Sequence, residues 1–297
     1  ADLAQYVERC RVRVTVFVAG PSGVRTHSIT KQSALGMEAM SFSDEELQTT
    51  VDTAIALLGA ERVEPGEYTI VSAPGVSGTI CHESFGHGVE TDMFLKERAL
   101  AAHFIDKVVA SPLVNIYDDP SQPDQWGSYF FDDEGMLSRP TQIVENGTFR
   151  RGITDLYSAT ALGIERSANG RRQDYTRKAY ARMSNTYFGA GETPLADVFQ
   201  QVDQGIYLEQ WTSGMEDPKG WGIQVTCSYG HEIKHGRVTD RIFGPIAISG
   251  YVPEVLQSIS AVSNDWALES GVCGKGHKEI VPVTSGGPHL LLKARLG

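Results

Sequence analysis

Glycine sets the grain of this chain. Thirty-one of its 297 residues are glycine, about 10% where soluble proteins average ~7%. Turns that frequent cut the sequence into short runs, and several of those runs alternate apolar and polar residues. A sheet-rich α+β fold is the expectation. Arg11 to Ala19 (RVRVTVFVA) alternates along its whole length, Pro21-Ser22-Gly23 forms a turn, and Gly23 to Ile29 returns as the second arm of a hairpin. Ser43 with Glu46 three residues on makes a capping box. Leu47, Val51, Ala54, Ile55 and Leu58 then follow helical spacing up to Gly59.

Residues 1–64 therefore read as part of a strand-and-helix α+β module, and Pro65-Gly66 marks the start of a second module over 65–297. Glu67 to Ala73 is a strand. Ser77 caps a helix from Thr79 to Thr91. Strands follow at Thr141 to Val144 and Thr148 to Ile153, with a helix at Pro194 to Asp203 capped by Thr193. A long hairpin spans Gly222 to Ile233 and Val238 to Ile248, and a last helix runs from Pro253 to Ser263.

Charge and composition exclude several roles. The 26 basic and 37 acidic residues leave a net charge of -11 with no run of Lys and Arg, which opposes direct binding to nucleic-acid phosphates. No apolar stretch approaches the ~20 residues of a membrane span. Ala1 to Arg11 lacks the apolar centre of a secretion signal. Cys10, Cys81, Cys227 and Cys273 are too scattered for a disulfide framework. The expected setting is a reducing cytoplasm.

Two segments carry a His-Glu-gap-His pattern. His231-Glu232-Ile233-Lys234-His235 matches the standard H-E-x-x-H spacing. It is fenced by Gly230 and Gly236 and follows a β-branched, alternating run, so it reads as strand and hairpin tip. Four residues of strand span ~13 Å, too far for two ligands that must each sit ~2 Å from one ion. His82-Glu83-Ser84-Phe85-Gly86-His87 has one residue more. In a regular helix its histidines point about 140° apart. A widened turn such as a π-bulge would reunite them, and Gly86 tolerates such a distortion. Spacing alone leaves open a buried helix that carries two histidines with no metal.

Cys81 to Glu90 (CHESFGHGVE) resembles the H-E-x-x-x-H signature of the TldD/PmbA family of metallopeptidases. Phe131 to Gly135 (FDDEG), Val144 to Gly147 (VENG), Asn169 to Arg172 (NGRR) and Arg182 to Tyr187 (RMSNTY) fall in the family's order. So do Gly244 to Gly250 (GPIAISG), Val272 to Lys275 (VCGK) and Val281 to Pro288 (VPVTSGGP). The resemblance runs from Arg11 to the end and matches the family's last two modules without its first. The Ser213 to Trp221 stretch departs from the family's glycine-rich pattern.

This resemblance implies a sheet-rich catalytic module with an embedded metal-binding helix. Its metal is zinc, with Fe2+ compatible with the same donors. The ligands it implies are His82, His87 and the cysteine of the Cys-Gly-Lys segment, Cys273, with His277 a rival or assistant. Glu83 would be the general base that takes a proton from the attacking water. Arg182, Asn185 and Tyr187 would contact the peptide, whereas Arg171, Arg172 and Arg182 have a second option in pairing with Asp132-Asp133-Glu134. Cys81 and Cys227 read as packed thiols; His103 and His289 carry no motif. The implied activity is cleavage of unfolded or flexible peptides, as in peptide maturation, in a cavity enclosed by two subunits. The partner would be a second copy or a PmbA-like chain. The alternative is a non-catalytic or truncated partner subunit with a regulatory role linked to a toxin, an antitoxin or gyrase.

Overall fold

The computed structural model describes residues 2–21, 23–276 and 278–297, so Ser22 of the expected hairpin turn lies outside the described residues. β1 (Cys10–Gly20) and β2 (Gly23–Ser33) pair antiparallel along their whole length. The alternation places Val12, Val14, Val16 and Val18 on the more covered face and Arg11, Arg13, Thr15 and Phe17 on the exposed one. α1 (Asp44–Ala56) begins with the expected capping box: Glu46 N–H donates to Ser43 Oγ while the Glu46 carboxylate accepts from Ser43 N–H. It packs against β1 and β2.

β3 (Gly66–Ser72) leads directly into α2 (Pro74–Phe85), and α3 (Thr91–Leu95) follows. The chain continues through β4 (Ile116–Asp118), β5 (Thr141–Glu145), β6 (Thr148–Phe149) and α4 (Leu156–Leu162). Next come β7 (Gly170–Arg171), β8 (Tyr180–Ala181), β9 (Asn185–Phe188) and α5 (Leu195–Gln200). The last third holds β10 (Gln204–Asp217), β11 (Gly222–Lys234), β12 (Arg237–Phe243), β13 (Ile246–Tyr251) and α6 (Val252–Gln257). It ends with β14 (Ala261–Val262), β15 (Ala267–Lys275), β16 (Lys278–Gly287) and β17 (Leu290–Leu296).

Two large sheets result. The first runs β10-β3-β17-β13-β11-β12, with β14 on β17. Because β10 also pairs with β11, the path from β10 through β3, β17, β13 and β11 closes on itself. The second runs β15-β16-β9-β4-β5-β6 and ends in an open edge at β15.

α2 lies between them, touching β10 and β11 of the first sheet and β9, β15 and β16 of the second. Every residue from Gly75 to Phe85 is buried, which is why the helix has no polar face to read in its sequence. Phe85 packs edge-on against Phe149 and Trp221 in the main core. The small polar residues of α2 are satisfied locally: Ser77 with the Ser72 hydroxyl at 2.7 Å, Thr79 with the Gly75 carbonyl at 3.0 Å, and Ser84 with the Ile80 carbonyl. His82 and Glu83, with Thr79, line a cavity. The helix approaches β16 backbone to backbone. A Cβ at Gly78 would stand 2.3 Å from Gly286 N.

Several boundaries differ from expectation. α2 starts at Pro74 rather than Thr79 and stops at Phe85 rather than Thr91. Proline needs no N–H partner in a first turn, so Pro74-Gly75 opens the helix, and Ser77 sits inside it bonded to Ser72. α5 follows Pro194 instead of a Thr193 cap. α6 ends at Gln257 because the chain must turn into β14.

Replacing Gly78 with alanine pushes a methyl group into backbone that cannot yield. The expected loss is about 1–3 kcal/mol of stability, read from denaturant midpoints. Gly59→Ala, at a site with no atom within 4 Å, shifts the midpoint little.

Candidate metal centre

His82 and Glu83 come from the last turn of α2. Gly86 then ends the helix with φ -96° and ψ -78°, and a 3-10 turn over His87–Val89 follows. A Cβ on Gly86 would lie 2.3 Å from the His82 carbonyl oxygen, so a glycine is what allows the chain to fold back here. The two imidazoles meet with ring centroids 5.2 Å apart and planes at 88°. The five-residue spacing is absorbed by the end of the helix, not by the widened turn within it that the sequence invited.

Cys273 arrives from β15 and brings Sγ to 3.1 Å from His87 Nε2. One donor atom from each of His82, His87 and Cys273 lies within 4.8 Å of the others. Donors to a single zinc each sit ~2.0–2.3 Å from it, so small side-chain shifts suffice to share an ion. His82 Nδ1 is buried without a hydrogen-bond partner among the described residues. Two imidazoles and a thiolate form a donor set that suits zinc, and the site fits a metal of that kind.

The surrounding charges favour the thiolate. Burial alone would push the Cys273 thiol up, but His87 and His82 outweigh it and hold it well below the usual thiol range. Both histidines are shifted upward despite burial, chiefly by the cysteine. Arg182, 0% exposed, donates from Nη2 to Cys273 Sγ at 3.0 Å and to its carbonyl at 3.1 Å, and from Nε to Glu90 Oε1 at 3.1 Å. Glu90 in turn faces Lys275 Nζ at 3.0 Å and His87 Nδ1 at 3.6 Å. Lys275 also donates to Asp92 at 2.5 Å. Buried charges of alternating sign thus surround the cysteine, none left without an opposite neighbour.

Glu83 is separate from that network. Its carboxylate lies over Gly214 of β10, where a Cβ would come within 2.4 Å of Oε1. Burial raises its pKa, and His82 and His87 partly oppose this. His82, Glu83, His87 and Cys273 share one cavity of about 1620 Å³ whose walls come from β2, β10 and β15.

None of the three residues expected at the peptide lines this cavity. Arg182 is behind Cys273. Asn185 is wholly buried and donates from Nδ2 to the Asp119 carbonyl at 2.6 Å and to Ser128 Oγ at 2.9 Å. Tyr187 stacks on Tyr117 and accepts from Gln122 Nε2 at 3.1 Å. Asn185 and Tyr187 belong to β9, which is flanked by β16 and β4, so both its edges are covered.

Arg171 is buried over the Tyr129 ring, and Arg172 faces Asp133 at 3.5 Å. Asp132 and Glu134 face Arg166 instead. His277 lies outside the described residues. Cys81 and Cys227 are buried free thiols, which burial pushes up, Cys227 to about 12. His231 sits in β11 beside Glu209, and His235 in the hairpin turn beside Asp203. His103 is exposed. His289 is buried between Asp265 and Tyr207. Glu90 and Lys275 were within reach of the sequence, since both belong to the motif segments, but nothing in the spacing shows that they meet.

Glu90 offers a test of the network in metal-free protein. Burial would raise its pKa, yet Lys275, His87 and Arg182 hold it far below the ordinary value of 4.5. Glu90→Gln removes the anion that Arg182 and Lys275 share, leaving Arg182 to Cys273 and Lys275 to Asp92, and costs on the order of 3–5 kcal/mol at pH 7. A depressed folded-state pKa contributes stability that is present above the unfolded value and lost as pH falls towards the folded one. The gap between wild type and Glu90→Gln, measured by denaturation, therefore holds down to about pH 4.5 and narrows below it.

No helix among the described residues is long and apolar enough to cross a membrane. A metalloprotease of Synechocystis sp. is 32% identical over 281 residues, covering 92% of this chain and 58% of that protein. A zinc metalloprotease TldD homolog of Saccharolobus solfataricus is 31% identical over 229 residues, covering 77% and 51%. The chain thus spans a little over half the length of these curated relatives. Among solved structures, TldE from Thermococcus kodakarensis has the same fold, with a TM-score of 0.77 at 19% identity over 97% of this chain and 63% of that one. Residues 65–295 match the family model for the PmbA/TldA metallopeptidase C-terminal domain. On that match, which covers most of its length, the chain belongs to the PmbA/TldD metallopeptidase family.

Proposed function

We propose that this chain is a zinc peptidase that hydrolyses flexible peptides, with His82, His87 and Cys273 as metal ligands and Glu83 as general base. The convergence of those four side chains on one cavity carries the proposal. A divalent ion held there supplies Lewis-acid polarisation of a scissile carbonyl and makes water more acidic.

The chain's own residues do the rest. Glu83 takes a proton from the attacking water and returns it to the leaving amine, a dual role suited to a carboxylate whose pKa burial has raised. Arg182, bonded to both the sulfur and the carbonyl of Cys273, holds that residue in position. The open edge of β15 lies along the cavity wall and ends near Cys273. A peptide added to that edge as an extra strand is held by backbone hydrogen bonds that ignore side chains, which gives broad sequence tolerance. The proposed assembly is a dimer, with a second copy or with a PmbA-like partner, in the cytoplasm, acting in peptide maturation or turnover.

Metal analysis and peptide hydrolysis on single variants test this. Glu83→Gln retains metal and loses hydrolysis by roughly 10²–10⁴-fold. Cys273→Ala loses the metal. His231→Ala retains both metal and activity. Unchanged hydrolysis in Glu83→Gln removes the proposed base, and metal loss in His231→Ala moves the site. Elemental analysis of the purified protein decides between zinc and iron.

A further inference from the structure

Glu216 is a carboxyl on the cavity with no hydrogen-bond or ion-pair partner among the described residues. It is in β10, two residues beyond the Gly214 that underlies Glu83. Both its oxygens are buried, and neither accepts a hydrogen bond from any described residue. The next residue is a contrast: Asp217 accepts from the Lys219 and Gly220 backbone N–H groups at 3.1 and 3.0 Å. Glu216 is folded back against Gly88, just after His87, where a Cβ would fall 2.5 Å from Oε1.

The groups that face it are mostly of its own sign. It is buried near Glu90, Glu83 and Asp217, and His87 is the opposing charge. The nearby cations are committed elsewhere, Arg182 to Glu90 and Cys273, Lys275 to Glu90 and Asp92. Buried acceptors left unpaired are rare because they are costly, and an unpaired one at the edge of a binding cavity points to a ligand that completes it. Turning this side chain into the cavity breaks no hydrogen bond. A neutral donor would satisfy the acceptor alone, whereas a cation also answers the surrounding carboxylates.

We propose that Glu216 is the specificity carboxyl of this cavity, receiving a cationic group of the bound peptide close to the scissile bond. The inference rests on the peptidase reading above and extends it to a substrate class. The cation is an ammonium or guanidinium, supplied either by a lysine or arginine side chain or by the peptide's free amino terminus.

The test uses zinc-loaded protein and two matched peptide pairs, one with lysine against norleucine beside the cleaved bond, the other with a free against an acetylated amino terminus. Ratios of kcat/KM within each pair are measured for wild type, Glu216→Gln and Asp217→Asn. Binding of the same labelled peptides to Glu83→Gln protein, with and without Glu216→Gln, gives the preference without turnover. Wild type is expected to favour the cationic member of one pair by about tenfold, and Glu216→Gln to bring that ratio near one while melting as wild type does. Asp217→Asn keeps the ratio. The pair that responds identifies the source of the cation. A ratio unaltered by Glu216→Gln in both pairs, or lost equally in Asp217→Asn, overturns the proposal. A Glu216-dependent binding preference in protein that cleaves nothing sinks the peptidase reading and leaves this inference standing.

Discussion

α2 and β16 meet with no side chain between them at Gly78 and Gly286, and the geometry of the centre depends on that contact. β16 pairs with β15, with Cys273 opposite Val281. The distance from helix to strand therefore fixes the distance from His82 to the cysteine. A pair of ordinary side chains at this crossing would hold the elements several ångströms further apart, and the three donor atoms would no longer share one point. Because α2 is also clasped by β10 and β11 of the other sheet, the helix cannot drift to relieve strain at either side.

Burying this many ionised groups would be ruinous without pairing. The chain from His87 through Glu90 to Arg182 and Lys275, and back to Cys273, alternates in sign at each step. Its electrostatic effect on the thiol is the reverse of that at Cys81 and Cys227, which share its burial and lack its cationic neighbours. Environment, not residue type, separates the sulfur whose pKa is held down from the two packed ones whose pKa is pushed up.

The sequence made the hairpin and the capping box on α1 legible, because each rests on local spacing. The His231 motif fails in the structure for the reason its glycines and β-branched neighbours implied: it lies on a strand and a turn. What was not legible is long-range. Pro74-Gly75 reads as a turn unless the two sheets that bury it are known. β10, 14 residues long, carries a register shift between Trp211 and Ser213 and an exposed outer half, so its alternation is blurred. Arg182, Asn185 and Tyr187 belong to a motif that does not show which side of a sheet its residues occupy, and none of them lines the cavity. Glu216 had no signal, since being unpaired is a property of the surroundings.

The unpaired side of β15, at one end of the second sheet, is a strand edge that needs shelter. Beside it stands β2, where Gln32 Nε2 donates to the Ser270 carbonyl at 3.1 Å and the Ser270 hydroxyl returns a bond to the Gln32 carbonyl. Unguarded strand edges are nuclei for aggregation. Here the hairpin acts as a fence: bonded to β15 at Ser270, it denies that stretch of the edge to the rigid border of another folded sheet.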